Sequence, residues 1–115
     1  NCASNGVGSL TRLPHGIACD QVRSVMSAVA QEGIAVAEAL GITLEKNPED
    51  MIDYGREVAY RHKPSMLQDV EAQRPTEVDS LNGGLADIGD KIGIPCPLNR
   101  AVALMIKGVE HSWTL

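Results

Sequence analysis

The chain has 115 residues, of which 43 % are hydrophobic and 22 % charged, with a formal net charge of −5; this suits one globular domain. That charge argues against a nucleic-acid partner, which needs a basic face, and against an acidic membrane surface. No apolar run approaches the roughly 20 residues of a membrane span, and no secretory signal is visible. One Trp, two Tyr and no Phe leave a core to be built from Leu, Ile, Val, Ala and Met. Cys2, Cys19 and Cys96 are odd in number and widely spaced, so a disulfide framework is not expected and a reducing cytoplasm fits better. The first residue is Asn rather than Met, and a fragment of a longer protein is expected.

Residues 1–13 read as the end of a helix that loosens near Gly6. Asn1 and Asn5 are four apart and would share one helix face, although both also suit capping and turn roles. Pro14, His15 and Gly16 read as a turn. Residues 20–40 are the clearest helix. Asp20 offers an N-cap, and Val22, Val25, Met26, Val29, Val36, Ala37 and Leu40 keep a helical period. Gly33 lies on the same stripe, Gly41 suits the position after a helix end, and Glu32 and Glu38 read as a solvated flank. Residues 47–62 form a third helix, with Asn47 as cap, Pro48 in the first turn and Glu49 and Asp50 favoured by the helix dipole. Arg56, Arg61, His62 and Lys63 complement that dipole at the other end.

Residues 63–84 hold two further helix starts. Ser65 and Gln68 have capping-box spacing. Thr76 opens a helix over residues 76–92, with Glu77 in its first turn and Asp79 three residues after Thr76. Helix ends of this kind bind anions readily. Val78, Leu81, Leu85, Ile88 and Ile92 form its expected buried stripe. Gly83 and Gly84 cost on the order of 1 kcal/mol each, so close packing or an approaching ligand must offset them. Gly93 ends the helix, residues 94–97 connect, and Pro97 opens a last helix with Leu98, Ala101, Val102, Met105 and Val109 on its apolar face. Trp113 would cover a core edge. No segment alternates like a half-buried strand. The expected fold is an all-α bundle of about six helices.

Little in the chain points to covalent or metal chemistry. His15 and Cys19 are four apart across a turn, and neither C-x-x-C nor H-E-x-x-H occurs, so no metal site is expected. The cysteines suit burial as small hydrophobes. No G-x-G-x-x-G follows a strand. What remains is the polar set Asn1, Asn5, Ser65, Gln68 and Glu77. Asn, Ser and helix-start amides can meet the oxygens of a hydroxy or keto acid, and Glu77 can orient a lysine or contact a cofactor ribose. On local pattern alone, capping is the better account of Ser65 and Thr76.

The order of several motifs adds to this. They are Asn1-x-x-x-Asn5, E-G-x-x-V-A-x-A-L-G over residues 32–41, S-M-L-Q-D from Ser65, R-x-T-E-V-D from Arg74, L-N-G-G from Leu81 and G-I-P-C-P-x-N from Gly93. Together they resemble the C-terminal domain of ketopantoate reductases (2-dehydropantoate 2-reductases) over nearly the whole chain. The resemblance implies that residues 1–115 are a helical substrate-binding domain with a fold like the C-terminal domain of 6-phosphogluconate dehydrogenase. NADPH would be bound mainly by the chain's own N-terminal Rossmann domain, upstream of these residues. The implied reaction reduces 2-dehydropantoate to pantoate, toward pantothenate and coenzyme A. Asn1 and Asn5 would contact substrate, Ser65 its carboxylate, and Gln68 would lie nearby through its backbone. Glu77 would support the catalytic lysine and the cofactor. That lysine would lie one helical turn before Asn1, so the fragment alone should be inert. His15 falls near a position where some members place a substrate-contacting Asn. Two rival readings stay open: a reductase of another 2-keto acid, and a helical dimerisation module, forming a homodimer, without catalysis of its own.

Overall fold

The computed structural model describes all 115 residues. The regular structure is entirely helical, and the element order places six α-helices behind a leading π-helical turn. That turn, Cys2–Val7, runs directly into α1, Gly8–Thr11, which ends where Arg12 adopts a left-handed conformation at φ 59°. The chain therefore does not loosen at Gly6. It widens around Gly6 and continues, because glycine is required there for contact: an added Cβ would lie 2.6 Å from Val102 Cγ1 and 3.0 Å from Asn82 Oδ1. The freedom of glycine is used for close approach rather than for flexibility.

Helix α2, His15–Ala39, starts more than a turn before the expected Asp20 and breaks its helical geometry at Val22. The expected turn at Pro14–Gly16 is its first turn. Backbone carbonyls cap it instead of a side chain: His15 N–H donates to the His62 carbonyl at 2.9 Å and Gly16 N–H to that of Tyr60 at 2.8 Å. Gly16 is obligatory in this join, since a Cβ would stand 2.1 Å from Tyr60 Cδ2. Asp20 is thereby free for another task, accepting from Arg56 Nε at 2.8 Å and from the Tyr60 hydroxyl. These two donors hold its carboxyl below the usual carboxylate range, Tyr60 contributing most. At the far end, Gly41 takes φ 71°, with Ile42 N–H to the Ala37 carbonyl at 2.9 Å and Gly41 N–H to that of Glu38 at 3.0 Å. This is the expected glycine-terminated helix end, in its Schellman form.

Helix α3, Pro48–Val58, has the expected Asn47 cap, whose side chain accepts from Glu49 N–H at 2.8 Å. It stops four residues short of the expected end. Arg23 of α2 clasps it through Asp53 and Glu49.

Helices α4, Ser65–Glu71, α5, Asn82–Ile92, and α6, Pro97–Ser112, complete the bundle. The capping box expected at Ser65 and Gln68 does not form: Ser65 is the first helical residue and makes no cap hydrogen bond. The helix expected to open at Thr76 starts six residues later. Thr76 Oγ1 does accept from Val78 N–H at 3.3 Å while donating to Glu110 Oε2 at 2.6 Å, but only a bend and a turn over residues 77–81 follow before α5. The buried face of α5 is Asn82, Gly83, Ala86 and Gly89, while Ile88 and Ile92 are 43 % and 37 % exposed. Of the expected aliphatic stripe, Val78 is fully buried and Leu81 and Leu85 are half-buried against the core, and only its far end, Ile88 and Ile92, turns outward, because α5 packs there through small residues. Gly89 shows why: a Cβ there would stand 2.3 Å from the Ile94 carbonyl oxygen. Helix α6 likewise buries Asn99, Val102, Ala103 and Ile106, leaving Leu98 and Met105 outward.

Glu32 corrects a further expectation. It is not a solvated flank. Its Oε2 accepts from Leu98 N–H at 3.0 Å, and its Oε1 from Asn99 N–H at 2.9 Å and Asn99 Nδ2 at 2.8 Å. Helix α6 has no side-chain cap of its own, and its unpaired first amides and positive dipole end attract a carboxylate from α2.

The core joins Met26 and Val29 of α2 to Met66, Val78, Val102 and Ile106. Burying each such side chain contributes about 1.5–3 kcal/mol. No helix is long and apolar enough to cross a membrane.

Candidate functional site

Packing α4 against the π-helical turn brings together two polar segments that are 60 residues apart. Asn5 is buried, and its Oδ1 accepts from Met66 N–H at 3.1 Å and from the Ser65 hydroxyl at 3.3 Å. Both acceptor directions of the Asn5 carboxamide are therefore occupied. Its amide N–H groups have no protein partner and are the donors left for a ligand. Asn1, Ser4, Asn5 and Ser65 line one hollow of about 340 Å³, together with His15 and His62.

The wall carries no carboxylate, Lys or Arg side chain; the two imidazoles are its only titratable side chains. His15 is buried, with Nε2 3.0 Å from the Ile52 carbonyl. A carbonyl only accepts, so Nε2 carries the proton. Gly55 makes room for this ring, since a Cβ there would lie 2.8 Å from Nε2. Cys19 Sγ is 3.6 Å from the same nitrogen. Burial pushes the Cys19 thiol up, as it does those of Cys2 and Cys96, so none is an activated thiolate. No group of His, Cys, Asp and Glu is placed to hold a metal ion.

Of the five residues singled out in the sequence, the fold gathers Asn1, Asn5 and Ser65. Gln68 points elsewhere: its Nε2 donates to the Lys63 carbonyl at 2.9 Å. Glu77 is exposed in the turn before α5, where its carbonyl accepts from Ser80 and Leu81 N–H, and it does not line this hollow. Ser4 and His62 were missed. Ser4 had a usable signal: residues 1, 4 and 5 stand at i, i+3 and i+4, positions that share one face of a helical turn. His62 gave none, because the join of residues 60–62 to the start of α2 is a tertiary contact.

A second hollow of about 430 Å³ adjoins the same turn, lined mainly by apolar residues including Ala3, Val29, Ile34, Met51 and Leu85. It shares Asn1 and Ser4 with the first.

Comparison with known proteins gives this geometry a context. Residues 1–110 match the family model described as ketopantoate reductase PanE/ApbA C terminal. The chain is 31 % identical over 112 residues to the 2-dehydropantoate 2-reductase of Pyrobaculum aerophilum, a match covering 96 % of this chain and 40 % of that protein. It is also 31 % identical over 112 residues to the enzyme of that name from Archaeoglobus fulgidus, covering 96 % and 37 %. A solved PanE/ApbA family ketopantoate reductase from Ralstonia eutropha superposes with a TM-score of 0.91 at 33 % identity, over 100 % of this chain and 39 % of that one. D-mandelate dehydrogenase, solved with NADH and anilino(oxo)acetate, superposes with a TM-score of 0.89 over 100 % of this chain and 50 % of that one. At 24 % identity it shares the fold alone. The chain spans about two fifths of the length of the curated relatives it matches.

Proposed function

The chain belongs to the ketopantoate reductase family, as its C-terminal domain, and we propose that it forms the substrate-binding half of an NADPH-dependent 2-keto acid reductase acting on 2-dehydropantoate. The observation that carries this reading is the shared hollow of Asn1, Asn5 and Ser65, with the Asn5 N–H groups left as free donors. A keto acid brings acceptor oxygens, and this wall meets them with donors and no repelling carboxylate.

The chain has no glycine-rich phosphate loop, and the hollow suits a small acid rather than a dinucleotide. The cofactor therefore belongs on an N-terminal Rossmann domain of the longer protein. NADPH, when bound there, supplies the hydride to the keto carbon. This chain's residues bind and orient the acid. On binding, the Ser65 hydroxyl turns its one proton from Asn5 Oδ1 to the acid's carboxylate, while Asn1 and Asn5 donate toward the oxygen on which negative charge develops. The proton would come from a lysine one turn upstream of Asn1, with the exposed Glu77 carboxylate supporting that ammonium and the cofactor. The three unpaired cysteines suit a reducing cytoplasm.

Ser65→Ala in the full-length enzyme tests the assignment. Loss of one charge-assisted hydrogen bond should raise KM for 2-dehydropantoate about tenfold, with a smaller change in kcat. Unchanged KM and kcat would contradict the reading and favour a purely assembling role.

A further inference from the structure

The turn that carries Asn1, Ser4 and Asn5 is held from behind by one side chain. Asn82, the first residue of α5, is fully buried. Its Nδ2 donates to the Cys2 carbonyl at 3.3 Å and to Asn99 Oδ1 at 2.9 Å. Asn99 is also fully buried, and its own Nδ2 donates to Glu32 Oε1 at 2.8 Å and to the Val29 carbonyl at 3.2 Å. A carboxylate and a carbonyl only accept, so the amide orientation of Asn99 is fixed, and with it that of Asn82.

This leaves Asn82 Oδ1 without a hydrogen-bond partner, the only buried side-chain atom in that condition. It faces the π-helical turn: a Cβ at Gly6 would stand 3.0 Å from Oδ1 and 3.2 Å from Nδ2. Buried acceptors are normally satisfied, and each exception asks for an explanation. The two residues of the turn that meet Asn82 are Cys2 and Gly6, and each directly follows an asparagine that lines the hollow. Glu32, Asn99 and Asn82 thus form a rigid polar strut from α2 to the backbone beside both site amides. The turn it braces is π-helical, a form that is rare and concentrates at functional sites.

We infer that Asn82 is a positioning residue, which sets the rotation and pitch of the π-helical turn so that Asn1 and Asn5 aim their amides into the acid-binding hollow. The inference rests on the reading of that hollow given above.

Two measurements on the full-length reductase test it. The first is amide hydrogen exchange over residues 2–8, which needs no substrate. Asn82→Ala should quicken it, and unchanged exchange overturns the inference whatever the kinetics. The second is a coupling test on kcat/KM for 2-dehydropantoate. Asn82→Ala alone should lower kcat/KM by about tenfold to a hundredfold, as a misplacement near 1 Å does. Added to the Asn1→Ala, Asn5→Ala double variant, it should cost nothing further, because the groups it positions are gone. Equal losses in both backgrounds would mark a merely structural role and overturn the inference. If the double variant itself turns over like wild type while exchange quickens, the reading of the hollow fails and the brace on the turn stands. Asn82→Ser, which keeps a hydroxyl donor, replaces the alanine variant in both tests if that variant does not fold.

Discussion

Asn5→Ala in the full-length reductase is expected to lower kcat/KM for 2-dehydropantoate about a hundredfold, the loss that follows removal of one preorganised donor to a developing oxyanion. The same substitution should reduce stability. Asn5 Oδ1 is the acceptor for Met66 N–H and for the Ser65 hydroxyl, and the Met66 bond is buried. A buried donor left without a partner costs about 1–3 kcal/mol, which should appear as a melting point lower by several degrees. Asn5→Asp separates the two effects. The carboxylate keeps acceptors for Ser65 and Met66, so melting should change less than in Asn5→Ala. It removes the donors and sets a negative charge against an acidic substrate, so KM should rise more. Equal kinetics for Asn5→Asp and wild type would mean that the free amide does not serve the substrate.

Glu32→Ala is expected to be the most destabilising single change outside the aliphatic core, by about 3 kcal/mol in denaturant unfolding. One carboxylate serves Leu98 N–H, Asn99 N–H and Asn99 Nδ2. Hydrogen bonds to charged groups contribute about 1.5–3 kcal/mol each, but water can reach part of this helix end once the side chain is gone, so the sum is not realised in full. Glu32→Gln keeps one acceptor and should lose about half as much. A loss under about 0.5 kcal/mol, the range of ordinary surface changes, would return Glu32 to a solvated flank.

Features of the fold that depend on neighbours in sequence were legible. The Gly41 helix end and the Asn47 cap need only local residues, and both formed as read. So did the division into six helices, since period and punctuation are local signals. The features that failed were those decided by partners far along the chain. Ser65 looks like a cap until Asn5, 60 residues away, takes its hydroxyl. Thr76 does accept from Val78 N–H as a cap would, yet it is also tied across the bundle to Glu110 and only a turn follows it. Asp20 looks like an N-cap, but the amides of His15 and Gly16 find carbonyls at His62 and Tyr60 first. Of the stripe expected before and along α5, Val78, Leu81 and Leu85 do pack on the core, but beyond them packing selected Ala86 and Gly89 over Ile88 and Ile92, which lets the 94–96 connector come close. At the site, residue types and their order pointed to Asn1, Asn5 and Ser65, which one hollow gathers. Ser4, His62 and the strut of Glu32, Asn99 and Asn82 had no local signature strong enough to find them.

The most direct test of the site is a crystal structure of the full-length enzyme with a 2-keto or 2-hydroxy acid bound. The account predicts the acid in the polar hollow, its carboxylate within hydrogen-bond distance of Ser65 and its 2-oxygen within reach of the Asn1 and Asn5 amides. An acid seated elsewhere, with Asn5 and Ser65 still bonded only to each other and to Met66, would contradict it.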